Sequence, residues 1–264
     1  MNYTFKLSGE NYKLAKFELE TLLNRKLKRN KDSVSVDLKI NEEGVKALCN
    51  QSAMLQKCYI CSTGEQFLPG FCAKRKKLWA AKSDKRFVAR VPKNKPKRHP
   101  AMLKPKLARL LVNLTGAKKQ LLDPFCGTGS ILIEAGVLGL KPLGSDIDPK
   151  MIWYSKVNTD QFNVKTKLKQ LDATQLEIEF KDIEAIACDP PYGKSSTLAG
   201  KKLSELYPKF LASANKVLKN NSRLVMIRPH YLNLKISKNW KKLGEFDWYM
   251  HKGLTRKILV LEKR

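Results

Sequence analysis

Apolar and polar positions alternate over residues 3–7, which predicts a strand. From Asn11 to Leu23 the period lengthens, and Leu14, Phe17 and Leu22 recur at helical spacing. Val34-Ser-Val-Asp-Leu-Lys-Ile40 alternates again, as a half-buried strand does. Asn41 is placed to cap a helix running to Leu55, and Lys57 to Ser62 reads as another strand. Residues 1–63 therefore predict a small α+β module. Residues 64–100 predict a connector, punctuated by Gly64, Pro69, Gly70, Pro92, Pro96 and Pro100, with one short strand at Phe87–Val91. Leu103, Leu107, Leu110, Leu111 and Leu114 mark an amphipathic helix.

Over 101–264 strands and helices then take turns. Strands are predicted at Gln120–Asp123, Pro142–Asp146, Thr166–Leu171, Ile183–Asp189 and Arg223–Arg228. Helices are predicted at Gly129–Leu138, Pro149–Phe162 and Lys202–Leu218. Two closing strands, Leu243–Met250 and Arg256–Glu262, meet at a turn, His251–Gly253. This order is that of an α/β fold with a mainly parallel sheet.

The 264 residues suffice for one large domain with a small companion. No run approaches the roughly 20 apolar residues of a membrane span. Met1-Asn2-Tyr3-Thr4 does not begin a signal peptide, so the cytosol is the expected compartment. The six cysteines show no disulfide spacing and read as free thiols. Cys49, Cys58, Cys61 and Cys72 are the alternative, a zinc site. Cys58 and Cys61 fall on opposite faces of a predicted strand, which favours free thiols, and no metal is expected.

Charge changes the picture. The net charge is +28, but it is unevenly placed. Residues 1–73 carry net +3, 74–109 net +14, 110–193 net −2 and 194–264 net +13. A compositional drift would have raised all four. The basic flanks point to a polyanion, and the acidic middle to a neutral or cationic ligand.

The first chemical motif is Leu121-Leu-Asp-Pro-Phe-Cys-Gly-Thr-Gly-Ser130, a strand end, a two-glycine turn and a helix start. A dinucleotide fingerprint needs a third glycine, and position 132 is Leu. The acid before the loop repels a pyrophosphate and suits an ammonium group. That favours S-adenosylmethionine over NAD. Asp146, 23 residues on, ends the next strand and suits ribose hydroxyls, with Asp148 as the alternative. Asp172 ends the third strand and can accept from the adenine amine. Cys126 reads as packing, because no base partner is evident for it.

The second motif is Cys188-Asp-Pro-Pro-Tyr-Gly193, a rigid turn after the fourth strand. An exocyclic amine on a base is a poor nucleophile. Asp189 and the Pro190 carbonyl can each accept one amine hydrogen, Pro191 stiffens the turn, and Tyr192 can stack on the ring. Positioning is most of the chemistry.

These motifs, with Gly144 to Asp148, resemble the class I methyltransferases of exocyclic amines. His99-Pro-Ala-Met-Leu-Lys-Pro-Lys-Leu-Ala-Arg109 and His251-Lys-Gly-Leu-Thr-Arg-Lys-Ile258 narrow the likeness. They resemble segments of the archaeal and eukaryotic tRNA guanosine-10 N2-methyltransferases. The resemblance covers 98–264. It implies a Rossmann-like sheet of seven strands with the last antiparallel, S-adenosylmethionine as donor, and tRNA as substrate. The product it implies is N2-methyl- or N2,N2-dimethylguanosine. On this likeness Asp123, Phe125, Gly127, Thr128, Gly129, Asp146, Ile147, Asp172, Ala173, His99 and Met102 are the candidate cofactor contacts, and Asp189, Pro190, Pro191 and Tyr192 the catalytic ones. The N-terminal third departs from the family. Residues 1–63 suit its ferredoxin-like module, but 64–100 leave no room for a full THUMP domain, and a partner subunit is the candidate to supply that function. The alternatives are another tRNA position, rRNA, DNA adenine N6-methylation, or a non-catalytic RNA-binding subunit.

Overall fold

The computed structural model describes residues 1–8, 11–28, 33–61, 75–80, 85–100, 102–192, 202–251 and 254–264. The chain divides into two compact units, Met1–Val88 and Ala89–Arg264.

In the first unit, β1 (Asn2–Leu7), β2 (Ser33–Asp37), β3 (Leu55–Cys61) and β4 (Arg75–Ala80) form an antiparallel sheet of order β2-β1-β3-β4. Helices α1 (Tyr12–Leu23) and α2 (Glu42–Gln51) complete it, and Asn11 and Asn41 cap them as expected of short amide side chains. Tyr3, Phe5, Leu7, Leu14 and Leu19 are fully buried. Helix α2 stops at Gln51, four residues short of the expected Leu55. The cause is Glu18, a buried acid on α1. Its carboxylate accepts from the Ser52 hydroxyl at 2.7 Å and from the Ala53 and Met54 amides at 2.8 and 2.9 Å. Those bonds turn the chain out of the helix.

Where it is described, the 64–100 stretch carries more regular structure than the one short strand expected of it. It supplies β4, one turn of helix, α3 (Lys85–Val88), and a 3-10 turn at Pro92–Asn94. A strand expected at Phe87–Val91 is replaced by α3. Phe87, Val88 and Ala89 run together without alternation, and strand preference depends on an available sheet edge. Phe87 is buried while Val88 is half exposed. Cys49 and Cys58 are buried and form no disulfide among the described residues, and Cys72 lies outside those residues.

The first α-helix of the second unit is α4 (Pro105–Thr115), whose first residue is proline, as helix starts prefer. Its sheet holds β5 (Gln120–Asp123), β6 (Lys141–Asp146), β7 (Lys167–Gln170), β8 (Ile183–Cys188), β9 (Leu218–Pro229), β10 (Trp240–His251) and β11 (Leu254–Lys263). The order is β10-β11-β9-β8-β5-β6-β7. Strands β5 to β9 pair in parallel, and β11 pairs antiparallel with both β9 and β10. This is the Rossmann-like mixed sheet with an antiparallel last strand. Helices α5 (Ser130–Val137), α6 (Pro149–Gln161) and α7 (Leu203–Val217) connect the strands. Leu122, Ile186, Leu224 and Leu259 lie in the core with Tyr207 and Phe210 of α7.

A buried ionic cluster fastens the chain ahead of α4 to this unit. Glu134 on α5 is 1% exposed and takes Arg109 at 2.7 Å and Arg90 at 2.6 Å. Lys95 is also buried and donates to Ser130 Oγ at 2.9 Å. Burial holds its amine down to about 8.

Candidate active site

The strand order sets the carboxyl ends of β8, β5, β6 and β7 side by side, where open α/β sheets bind ligands. Asp123 ends β5 opposite Gly144 of β6, and it is almost wholly buried. The loop that follows is closed by backbone bonds. Cys126 N–H donates to the Ser145 carbonyl at 2.9 Å, and Gly129 N–H to the Cys126 carbonyl at 2.8 Å.

The two glycines of this loop do different work. Both have positive φ, +49° at Gly127 and +81° at Gly129. A Cβ on Gly129 would lie 2.8 Å from Ser155 Oγ, so this glycine lets α6 pack against the loop. A Cβ on Gly127 would meet only the Phe125 carbonyl, at 3.9 Å. The space before Gly127 is open to a ligand.

Asp146 ends β6 and faces this loop. Its carboxylate accepts from Gly127 N–H at 2.9 Å and Asp148 N–H at 3.1 Å. Asp148 instead caps α6, accepting from Lys150 N–H at 2.8 Å. Asp172 follows β7 and caps the 3-10 turn Ala173–Ile178, accepting from Thr174 N–H and the Thr174 hydroxyl. Ala173 and Thr128 are buried, Ile147 is exposed, and Phe125 packs edge-on against Phe210 at 5.0 Å.

His99 is exposed, and its carbonyl accepts from the half-buried Met102 amide at 3.1 Å. Its segment is tied to the loop through Asn158 of α6. That side chain exchanges bonds of 3.0 Å with the Lys97 backbone and donates to the Thr128 carbonyl at 2.9 Å.

Asp189, just after β8, completes the row. One of its oxygens, Oδ1, is buried and takes no hydrogen bond among the described residues. Burial pushes its carboxyl up to about 7, and the nearby Arg256 charge opposes the rise. Asp123 is raised well above the carboxylate range by burial first, then by the charges of Asp146 and Asp189. Burial also raises Asp146. Asp146 and Asp189 thus both act on the buried Asp123, and Arg256 is the cation beside Asp189. The thiols of Cys126 and Cys188 are pushed up by burial, which suits packing and not nucleophilic attack.

The Pro-Pro turn is held by tyrosines that sequence reasoning missed. Tyr207 donates to the Pro191 carbonyl at 3.3 Å and Tyr231 to the Tyr192 carbonyl at 2.9 Å. Arg256 on β11 was also missed as a site residue, although it lies within His251–Ile258. Its guanidinium stacks 4.0 Å over the Tyr192 ring. Gly193, Lys252 and Gly253 lie outside the described residues.

Residues 92–255 match the model of the RMKL-like methyltransferase domain, UPF0020. The chain belongs to this family. It is 40% identical over 177 residues to a tRNA (guanine(10)-N2)-dimethyltransferase of Methanothermobacter thermautotrophicus, covering 65% of this chain and 52% of that protein. A Pyrococcus abyssi protein of the same name is 39% identical over 186 residues, covering 68% of this chain and 56% of the relative. A probable tRNA (guanine(10)-N2)-dimethyltransferase of Methanothermococcus thermolithotrophicus is 36% identical over 168 residues, covering 60% of this chain and 98% of that protein. The chain spans about half the length of the first two relatives. The crystal structure of TrmN from Thermus thermophilus shares the fold, with a TM-score of 0.59 and 16% identity over the whole of both chains.

An RMKL-like methyltransferase domain needs a methyl donor, and these residues fit S-adenosylmethionine. Its sulfonium and ammonium groups would bring positive charge to the raised carboxyls of Asp123 and Asp146. Gly127 leaves room for it at the loop.

Proposed function

We infer that this protein transfers the methyl group of S-adenosylmethionine to the N2 amine of a guanosine in tRNA. The observation that carries the reading is the buried, unbonded Oδ1 of Asp189 near the buried carboxyl of Asp123. The names of the relatives support the base and the RNA, and position ten of tRNA is the site proposed.

S-adenosylmethionine supplies an electrophilic methyl group. Asp123 and Asp146 meet its positive and hydroxyl groups, Asp172 and Ala173 its adenine end, and Phe125, Thr128, Ile147, His99 and Met102 the remaining walls. Asp189 Oδ1 accepts one hydrogen of the guanine amine, and the Pro190 carbonyl accepts the other. This draws the nitrogen lone pair out of the ring plane and towards the methyl. The Asp189 carboxylate then takes the proton that the nitrogen sheds. Tyr207 and Tyr231 anchor the turn by its next two carbonyls, which leaves the Pro190 carbonyl for the amine. Tyr192 stacks on a base that has been flipped from its helix. The retained N–H allows a second methylation.

The basic stretches 74–109 and 194–264 hold the phosphates. Lys97 Nζ lies 4.0 Å over the exposed Trp153 ring, a pairing of cation and aromatic suited to RNA. A partner protein completes the grip on the tRNA, and the cytoplasm is the compartment this reading implies. Among the described residues no helix is long and apolar enough to cross a membrane.

The test is incubation with labelled S-adenosylmethionine and bulk tRNA, rRNA or DNA, followed by nucleoside mass spectrometry. N2-methyl- or N2,N2-dimethylguanosine in tRNA is expected. N6-methyladenosine in DNA overturns the acceptor assignment.

A further inference from the structure

Arg256 makes contacts that amine capture alone does not require. It projects from β11 and is 16% exposed at its side chain. Nη1 donates to the Tyr192 hydroxyl at 3.1 Å and lies 3.7 Å from Asp189 Oδ2. The other oxygen of that carboxylate is the buried, unbonded one. A group that only donates therefore stands beside a group that, when ionised, only accepts.

This pairing distinguishes bases. All three amine-bearing bases can present an amine to Asp189, so amine capture does not choose among them. Reading along the pairing edge from the amine, adenine continues with an acceptor and a C–H. Cytosine continues with two acceptors. Guanine alone continues with a second donor, N1–H, and then an acceptor, O6. A carboxylate suits the two donors and a guanidinium suits O6, as arginine does wherever it reads guanine.

Building on the guanosine reading above, we propose that Arg256 is a specificity-determining residue that donates to guanine O6 while Asp189 receives the N2 and N1 hydrogens. The guanidinium gives up the Tyr192 ring face as the base enters and keeps its donors at the base edge. Adenine held in the same place would set its N1 lone pair against the carboxylate and leave the guanidinium facing a C–H.

The experiment compares tRNA transcripts with guanosine or 2-aminopurine at the modified position. 2-Aminopurine keeps the amine and lacks both O6 and N1–H. The wild-type protein is expected to prefer guanosine by at least about 100-fold in kcat/KM, as sites built to bond a polar group do. In R256M that ratio should shrink by about 10- to 100-fold, the loss of a charge-assisted hydrogen bond. R256K retains a charged donor and should fall between the two. Because the readout is a ratio within each variant, a general loss of folding or turnover leaves it unmoved. Equal losses on both transcripts overturn the proposal and leave the guanosine reading intact. No N2-methylated guanosine from the wild-type protein on any tRNA overturns both.

Discussion

The Arg256 guanidinium lies 3.7 Å from the Asp189 carboxylate, a pair formed between the last strand of the sheet and the turn that follows β8. Burial holds Asp189 up to about 7, and Arg256 restrains it from rising further. The hydrogen-bond role requires the ionised form. Turnover is expected to climb as pH rises through about 7 and to level off above it. In R256M the midpoint should move higher. A native carboxyl raised in this way adds stability that is full below the ordinary carboxylate range and lost as pH rises through about 7. Loss of activity below 7 should therefore occur without unfolding caused by this group. A pH–rate profile with matched circular dichroism checks both statements, and a flat profile from 5.5 to 8.5 rejects them.

Asp123 is raised for the same reason, burial, with Asp146 and Asp189 adding repulsion. A cationic ligand favours its ionised form. Binding of S-adenosylmethionine is expected to release a proton and to strengthen as pH rises. Calorimetry in buffers of different ionisation enthalpy measures that release directly, and proton uptake would contradict the charge assignment.

Asp146→Ala removes the acceptor for two backbone amides, Gly127 N–H and Asp148 N–H. Cofactor affinity should fall by about 1.5–3 kcal/mol, the worth of a hydrogen bond to a charged group. Asp146→Asn keeps one carbonyl acceptor and should lose less. Titration calorimetry ranks the two variants.

Gly127→Ala and Gly129→Ala should separate binding from folding. Each forces a side chain into the left-handed region at about 1–2 kcal/mol. Only Gly129→Ala adds a clash with Ser155. Thermal melts should show the larger loss there, whereas Gly127→Ala should chiefly reduce cofactor affinity.

Asp189→Ala should abolish most turnover with little change in tRNA affinity, because phosphates dominate that affinity. Tyr192→Phe should keep more activity than Tyr192→Ala if stacking is the ring's task. Binding should fall steeply with salt, with a log–log slope of several units, and Trp153→Ala should weaken it further. Filter binding over a salt series is the measurement, and a salt-independent affinity would contradict the phosphate grip.

The sequence alone determined the strands and α-helices of residues 101–264 and the positions of the acids among them. Strand periods, Pro149 at a helix start and two glycines after Asp123 are local signals, and local sterics decide them. The pattern also placed Asp123, Asp146, Asp172 and Asp189 at the ends of four successive strands. Only the tertiary structure decided which backbone groups each acid meets. Asp146 and Asp148 are two residues apart and chemically identical, and the fold turns one to Gly127 and the other to a helix cap. Arg256 follows Asp189 by 67 residues, a separation across which no sequence pattern links the two. Pairing of β11 with β9 brings it to the turn after β8. The elements within 64–100 were hidden for a similar reason. β4 exists only because β3 offers an edge, and the buried Lys95 and Arg90 are held by partners 35 and 44 residues away. Contacts between residues distant in sequence carry no period, so chain patterning does not announce them.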